Sequence, residues 1–165
     1  MVGAYNTMRT GIGYDVHRLV AGKDLVLGGV KIPFEKGLSG HSDADVLLHA
    51  MCDAMLGAAG MGDIGSLFPD SDQRYKNMNS SYFLSETNKL LLAKGFVVQN
   101  IDAVIIAQRP KLAPHREEMV HHIARTLRIE PPRISIKSTT TEGLGFVGKG
   151  QGIGAMCVVL IDSKQ

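Results

Sequence analysis

The segment from about Asp43 to Gly60 constrains this chain more than any other. Its apolar residues, Val46, Leu47, Leu48, Ala50, Met51, Ala54, Met55 and Leu56, fall almost all round a 3.6-residue helix rather than on one stripe. Lys, Arg and Glu are absent from it. Such a helix has no solvent face, so it is buried inside its own domain or against a partner chain. Ser42 with Asp45 reads as a capping box at its start, and Gly57 and Gly60 weaken and end it.

The flanking segments supply a sheet for this helix to cover. Thr10–His17 reads as a strand, and Leu25–Leu27 and Val30–Pro33 as a hairpin turning at Gly28-Gly29. Gly37–Gly40 reads as a loop, and Asp63 to Asn79 as a long connection of a kind that is usually functional. Ser81 caps a second helix that Gly95 stops, and Phe96–Ala107 is a buried strand. Pro114 opens a third helix, Pro131-Pro132 ends it, and Arg133–Ser138 and Ile153–Ile161 are further strands. The Gly-rich connection between those last two suggests an antiparallel pair. The expected class is α+β: a single-domain α/β sandwich with helices packed on one face of a mixed sheet.

With 165 residues the chain suits one domain, able to bury roughly 70% of its unfolded surface. Residues 1–7 are expected to be a disordered lead-in and 8–165 the domain. The net charge of +2 without a Lys/Arg block disfavours nucleic acid as a partner, and no apolar run nears the ~20 residues of a membrane span. Two cysteines outside any CxxC pair fit a reducing compartment such as the cytoplasm. The eight methionines include Met51, Met55 and Met61, which read as core or interface filler. His115, His121 and His122 read as a solvent face or cap of the third helix.

Chemistry concentrates in the first third. Asp15 and His17, two apart on a strand, project from one face. Asp45, His49 and Asp53, four apart on the apolar helix, form one stripe. Buried groups of this kind are costly unless paired or bound to a metal. Asp15, His17 and His49 make a three-ligand set of the type that holds Zn²⁺ with one position open. Each residue also has a plain structural explanation: Asp45 as the cap, His49 as a hydrogen-bonded core histidine, Asp15 as a turn residue. One shared site accounts for all of them together.

Three other segments suit a phosphorylated ligand. His41, with Ser42 and Asp43, flanks the start of the apolar helix, where free N–H groups attract phosphate. Ser138-Thr139-Thr140-Thr141-Glu142 follows a strand end, and Glu142 can hold a hard cation such as Mg²⁺. Ala107–Ala113 also follows a strand end and offers backbone and basic groups to a nucleobase edge. GxxxxGK[ST] and GxSxG are absent, and the GxG matches do not join a first strand to a first helix.

Taken together, Gly13-Tyr14-Asp15-Val16-His17, Gly40–His49, Gly62–Gly65, Phe68–Asp72, Ile105–Gln108, Pro110–Leu112, Thr139–Glu142 and Gly145-Phe146 resemble the 2-C-methyl-D-erythritol 2,4-cyclodiphosphate synthase family. The motifs stand in family order from about Met8 to Ile161. The resemblance implies a lyase of the non-mevalonate isoprenoid (terpenoid) pathway. Its substrate is 4-diphosphocytidyl-2-C-methyl-D-erythritol 2-phosphate, whose 2-phosphate attacks the β-phosphorus and releases CMP. It implies Zn²⁺, one per active site, on Asp15, His17 and His49. A second divalent cation, Mg²⁺ or Mn²⁺, is implied on Glu142, with transition-state stabilisation by His41 and Thr140. Substrate contacts are implied for Ser42, for Asp63, Ile64 and Gly65, for Phe68, Pro69, Asp70, Ser71 and Asp72, and for Thr139 and Thr141. Ala107, Gln108, Arg109, Pro110, Lys111, Leu112 and Ala113 match the cytidine pocket.

The same resemblance implies a homotrimer with active sites between subunits, which fits the apolar helix and last strand. It also implies a central cavity for an isoprenoid diphosphate, lined by Phe146 and Lys149. Gly150-Gln151-Gly152 stands where the family usually reads Gly-Glu-Gly, and Met156 where some members carry Glu. These changes alter the charge of the cavity mouth and leave the catalytic set untouched. Two other classes fit parts of the pattern: a zinc-dependent phosphohydrolase, and a trimeric module that binds isoprenoid diphosphate without catalysis.

Overall fold

Strand β1 (Arg9–Ala21) and helix α1 (Val46–Ala59) lie backbone against backbone in the computed structural model, which describes residues 8–163. The expected lead-in at residues 1–7 lies outside the described residues. From Gly11 onward the odd-numbered residues of β1 face the helix, beginning with Gly11 and Gly13. A Cβ on Gly13 would overlap the carbonyl oxygen of Ala50, and one on Gly11 that of Ala54. Only glycine allows this approach. On the helix side, Val46, Leu47, Leu48, Ala50, Met51, Cys52, Ala54, Met55 and Leu56 are wholly buried. The apolar helix is therefore enclosed by its own chain, and it is not the surface that asks for a partner.

After β1 come the hairpin β2 (Leu25–Leu27) and β3 (Val30–Ile32), then β4 (Lys36–Ser39), β5 (Phe96–Ile106), β6 (Ile134–Thr139) and β7 (Gly152–Ser163). One mixed five-stranded sheet runs β4-β1-β7-β5-β6, and all its pairs are antiparallel except β5 with β6. The helices α1, α2 (Ile64–Leu67), α3 (Ser80–Ala93), α4 (Arg116–Leu127) and α5 (Gly145–Gly148) complete the α+β domain. The opposite face of β1 and β7 is bare and apolar. Ile12 is 65% exposed and Tyr14 51%, with Val16, Met156 and Val158 beside them. Among the described residues no helix is long and apolar enough to cross a membrane.

Several local expectations are corrected. Lys36–Ser39, read as part of a loop, is an edge strand paired with Arg18–Ala21; Leu38 alone carries an apolar signal there, so the pairing partner decides. Helix α1 begins at Val46, because Ala44 sits at φ +57° and breaks the helical path. Its cap is Asp45, not a box led by Ser42, whose hydroxyl instead accepts from the Ala44 N–H at 3.1 Å. Asn79 rather than Ser81 caps α3, accepting from the Ser81 N–H at 2.8 Å. This leaves the Ser81 hydroxyl 2.7 Å from Nε2 of His122, which is half-buried rather than on a solvent face. Finally, β6 and β7 are not neighbours. The β5–α4–β6 crossover sets β6 parallel at the edge, and β5 lies between them.

Asp45 ties the hairpin to the helix. Its wholly buried carboxylate accepts from the N–H groups of Gly28 (3.0 Å), Gly29 (2.7 Å) and Leu48 (3.2 Å). Burial pushes its pKa up to about 6 against the pull of those three donors. Between the unfolded value near 3.9 and 6, the folded chain holds more proton than the unfolded one, so this residue's contribution to stability grows as pH falls.

Gly13→Ala should cost about 1–3 kcal/mol in urea unfolding by prising β1 from α1. Gly57→Ala, exposed on the same helix, should be neutral or slightly stabilising. Asp45→Ala should cost roughly 3 kcal/mol at pH 7, through a lost cap and two orphaned hairpin N–H groups. That difference should widen by about 1 kcal/mol at pH 5.

A candidate metal and phosphate site

Beyond Gly13 the inward positions of β1 become Asp15 and His17, and the close approach to α1 brings His49 over them. Asp15 Oδ2 lies 2.9 Å from His17 Nε2 and 3.0 Å from His49 Nδ1, and the two ring nitrogens are 3.1 Å apart. A tetrahedral ion with bonds of about 2.0–2.1 Å holds its ligands roughly 3.3 Å apart. The residues present therefore fit a zinc-sized ion with little movement. His17 Nδ1–H donates to the Ser39 carbonyl at 3.0 Å, which turns the lone pair of Nε2 into the cluster. Two hydroxyls approach the far nitrogen of His49: Ser80 Oγ is 2.9 Å and Ser42 Oγ 3.3 Å from Nε2.

The three groups are electrostatically coupled. Burial works against ionisation of Asp15, yet the two imidazoles beside it outweigh burial and hold its carboxyl well below the usual carboxylate range. Burial likewise opposes the charge on His17, and Asp15 more than offsets it, raising the imidazole above its ordinary value. The cluster opens into a cavity of about 350 Å³. The cavity is also lined by His41, Ser42, Asp53, Ile64, Gly65, Phe68, Pro69 and Asp70. Three carboxylates face it and no Lys or Arg does. His41 Nε2 is enclosed there without a hydrogen-bond partner.

The wall opposite α1 is held by two further contacts. Asp53 accepts from the Ile64 N–H at 2.7 Å, fixing the start of α2. Phe68, Tyr75 and Phe83 stack with ring centroids 5.0–5.7 Å apart. Asp63 spends its carboxylate on Ser66, and Asp72 pairs with Arg74 at 2.6 Å; these two and Ser71 do not line the cavity.

A second cavity of about 500 Å³ opens at the ends of β5 and β6. Ala107, Gln108, Pro110, Lys111, Leu112, Ala113, Thr139 and Thr140 line it, and Arg109 lies on an adjoining hollow with Phe34. Thr140 Oγ1 donates to Glu142 at 2.7 Å, and Glu142 sits at φ +53°, a strained conformation for a residue with a side chain. Gly143 N–H reaches Gln108 at 3.3 Å, linking the two strand-end loops, while Thr141 Oγ1 donates to the Leu144 carbonyl. Thr140 thus lines this second cavity with Glu142 bonded to it, and neither lines the metal cavity of the same chain. Phe146 and Lys149 line a third hollow, with Val16, Arg18, Lys36 and Gln151.

Sequence reasoning missed Ser80, Tyr75 and Phe83. Ser80 follows Asn79 as the first of two serines, and no spacing rule marks it.

Comparison with known proteins agrees with this geometry. The model of the YgbB family matches residues 8–162. A 2-C-methyl-D-erythritol 2,4-cyclodiphosphate synthase of Desulfatibacillum aliphaticivorans is 57% identical over 94% of this chain and 100% of its own. Among solved structures, the bifunctional IspDF of Campylobacter jejuni superposes with TM-score 0.93 at 43% identity. This chain spans 96% of its own length there and 43% of that longer protein. Plasmodium falciparum IspF, in complex with CDP, superposes with TM-score 0.86 at 36% identity, over 98% of this chain and 100% of its own. The chain belongs to the YgbB family, that of the 2-C-methyl-D-erythritol 2,4-cyclodiphosphate synthases.

Proposed function

We propose that this chain converts 4-diphosphocytidyl-2-C-methyl-D-erythritol 2-phosphate into 2-C-methyl-D-erythritol 2,4-cyclodiphosphate and CMP, with Zn²⁺ held by Asp15, His17 and His49. The observation that carries the reading is the convergence of Asp15 Oδ2, His17 Nε2 and His49 Nδ1 within 3.1 Å of one another, at the mouth of an acidic cavity. When bound, Zn²⁺ there and Mg²⁺ or Mn²⁺ at Glu142 would neutralise phosphate charge and polarise the P–O bonds.

The protein's own part is positioning. A 2-phosphate oxygen attacks the β-phosphorus, and the bond from that phosphorus to the α-phosphate oxygen breaks, so CMP leaves as the anion and no water is consumed. The attacking phosphate is already anionic near neutral pH, so no base is needed. His41, whose enclosed Nε2 lacks a partner, is suited to donate to a phosphate oxygen, and Ser42 stands beside it. Ile64 to Asp72 would hold the methylerythritol. Ala107–Ala113, with Thr139 to Thr141, would hold cytidine; a CDP complex is known for the Plasmodium relative.

Cytidine cavity and metal cavity are separate hollows of one chain, which supports sites completed between copies. The bare face of Ile12, Tyr14, Val16, Met156 and Val158 is the surface we assign to a homotrimer axis. The hollow with Lys36, Lys149, Arg18 and Phe146 next to that face suits an isoprenoid diphosphate. Free, buried Cys52 and Cys157 accord with work in the reducing cytoplasm.

CMP release should fall by about 100-fold or more after chelation and return with added zinc in the wild type but not in His49→Ala. In ¹⁸O-water the cyclic product should carry no label. CMP release that survives chelation would sink the reading. Val158→Glu should run as a monomer in light scattering and lose activity with it.

A further inference from the structure

We propose that Ser80, anchored by Asp43, is a positioning residue that holds His49 in the tautomer a metal ion requires. The inference rests on the metal reading above and assigns a role to two residues outside the ligand set.

The Asp43 carboxylate can only accept, and it accepts twice from Ser80: from the hydroxyl at Oδ1 and from the backbone N–H at Oδ2, 3.1 Å away. It is held in turn by the Asp45 N–H at 3.3 Å, while the Asp43 N–H donates to the Met78 carbonyl at 3.1 Å. The single Ser80 proton is therefore committed to Asp43. What its oxygen can still offer is a lone pair, and that faces His49 Nε2 at 2.9 Å. Nε2 must then carry the hydrogen, and Nδ1 is left bare. Ser42, whose oxygen accepts from the Ala44 N–H and whose own proton is free, is the weaker neighbour: it lies farther from Nε2 (3.3 Å), and that proton has the Ser80 oxygen, 3.5 Å away, as a second acceptor.

The relay has something to work against. Without a metal, the competing tautomer puts the hydrogen on Nδ1, where Asp15 Oδ2 waits at 3.0 Å as an attractive acceptor. That form closes the ligand cluster with an N–H. Ser80 is wholly buried at the first position of α3, and it has no capping duty there because Asn79 caps the helix. A buried hydroxyl without a capping duty is explained by its place between Asp43 and His49. His17 has the same arrangement in simpler form, with the Ser39 carbonyl fixing its outer nitrogen.

The test uses purified full-length protein with ¹⁵N-labelled histidine at pH 8. Imidazole ¹⁵N shifts report the tautomer, and His49→Gln identifies the His49 signals. In metal-free wild type His49 should be the Nε2–H form, and in Ser80→Ala predominantly Nδ1–H. Zinc affinity, measured by competition with a chromophoric chelator, should fall about 10- to 100-fold in Ser80→Ala, with the thermal midpoint nearly unchanged. Ser80→Thr, which restores the hydroxyl, should recover most of both. An unchanged tautomer, or unchanged zinc affinity in Ser80→Ala, overturns the relay while the metal reading stands. A wild type that takes up no zinc overturns both.

Discussion

The contact between Gly11 and Gly13 of β1 and the backbone of α1 organises the molecule. Two side-chain-free positions let a helix lie on a strand at a distance no other residue permits. The alternation of the strand then continues past the glycines to Asp15 and His17 without changing face. The same geometry that buries Ala50 and Ala54 therefore carries His49 over those two ligands. Helix α1 keeps only a narrow stripe out of the core, with His49 and Asp53 half-buried and Gly57 exposed, and its polar members line the cavity. Steric fit and ligand placement are one constraint, expressed at successive positions of one strand.

This explains why so much of the site was legible. The two-residue spacing puts Asp15 and His17 on one face, as found, and the four-residue spacing holds for His49 and Asp53 on the cavity but not for Asp45, which turns to the Gly28-Gly29 hairpin. The Gly28-Gly29 hairpin and the buried Met51 and Met55 were likewise written in local pattern. What escaped depends on tertiary partners. Strand β4 exists because β1 offers it an edge, and its own four residues say nothing of it. Asp45 rather than Ser42 caps α1 because Ala44 turns the chain. Ser80 meets His49 only because the Asp43–Met78 hydrogen bond folds the long connection back on the helix start.

The chain is complete in its core and incomplete at its surface. Helix α1, predicted to need cover, found it in the sheet and α3. The unmet requirement moved to the other side of the sheet, where register sets Ile12 beside Val158 and Tyr14 beside Met156 in an exposed apolar band. A monomer leaving that band in water would be prone to association, and a closed symmetric arrangement removes the surface without creating a filament. Such closure would also supply the metal cavity of one copy with the strand-end loops of another. Under that reading the apolar face and the divided site are two consequences of one assembly.

Charge completes the argument. The metal cavity presents Asp15, Asp53 and Asp70 and no Lys or Arg, although the substrate proposed for it carries several phosphate charges. Left to itself, such a cavity repels a polyanion. Divalent cations held as proposed would reverse the local sign, and at the point where the phosphates would react rather than over a whole surface. Under that reading the small net charge of +2 has a physical meaning: attraction for the ligand would be conditional on the metal. A protein built this way gains most from holding its ligand nitrogens bare before the ion arrives, because every misplaced proton there restores the repulsion. The Ser39 carbonyl contact on His17 and the proposed Asp43–Ser80 relay on His49 would both act in that sense.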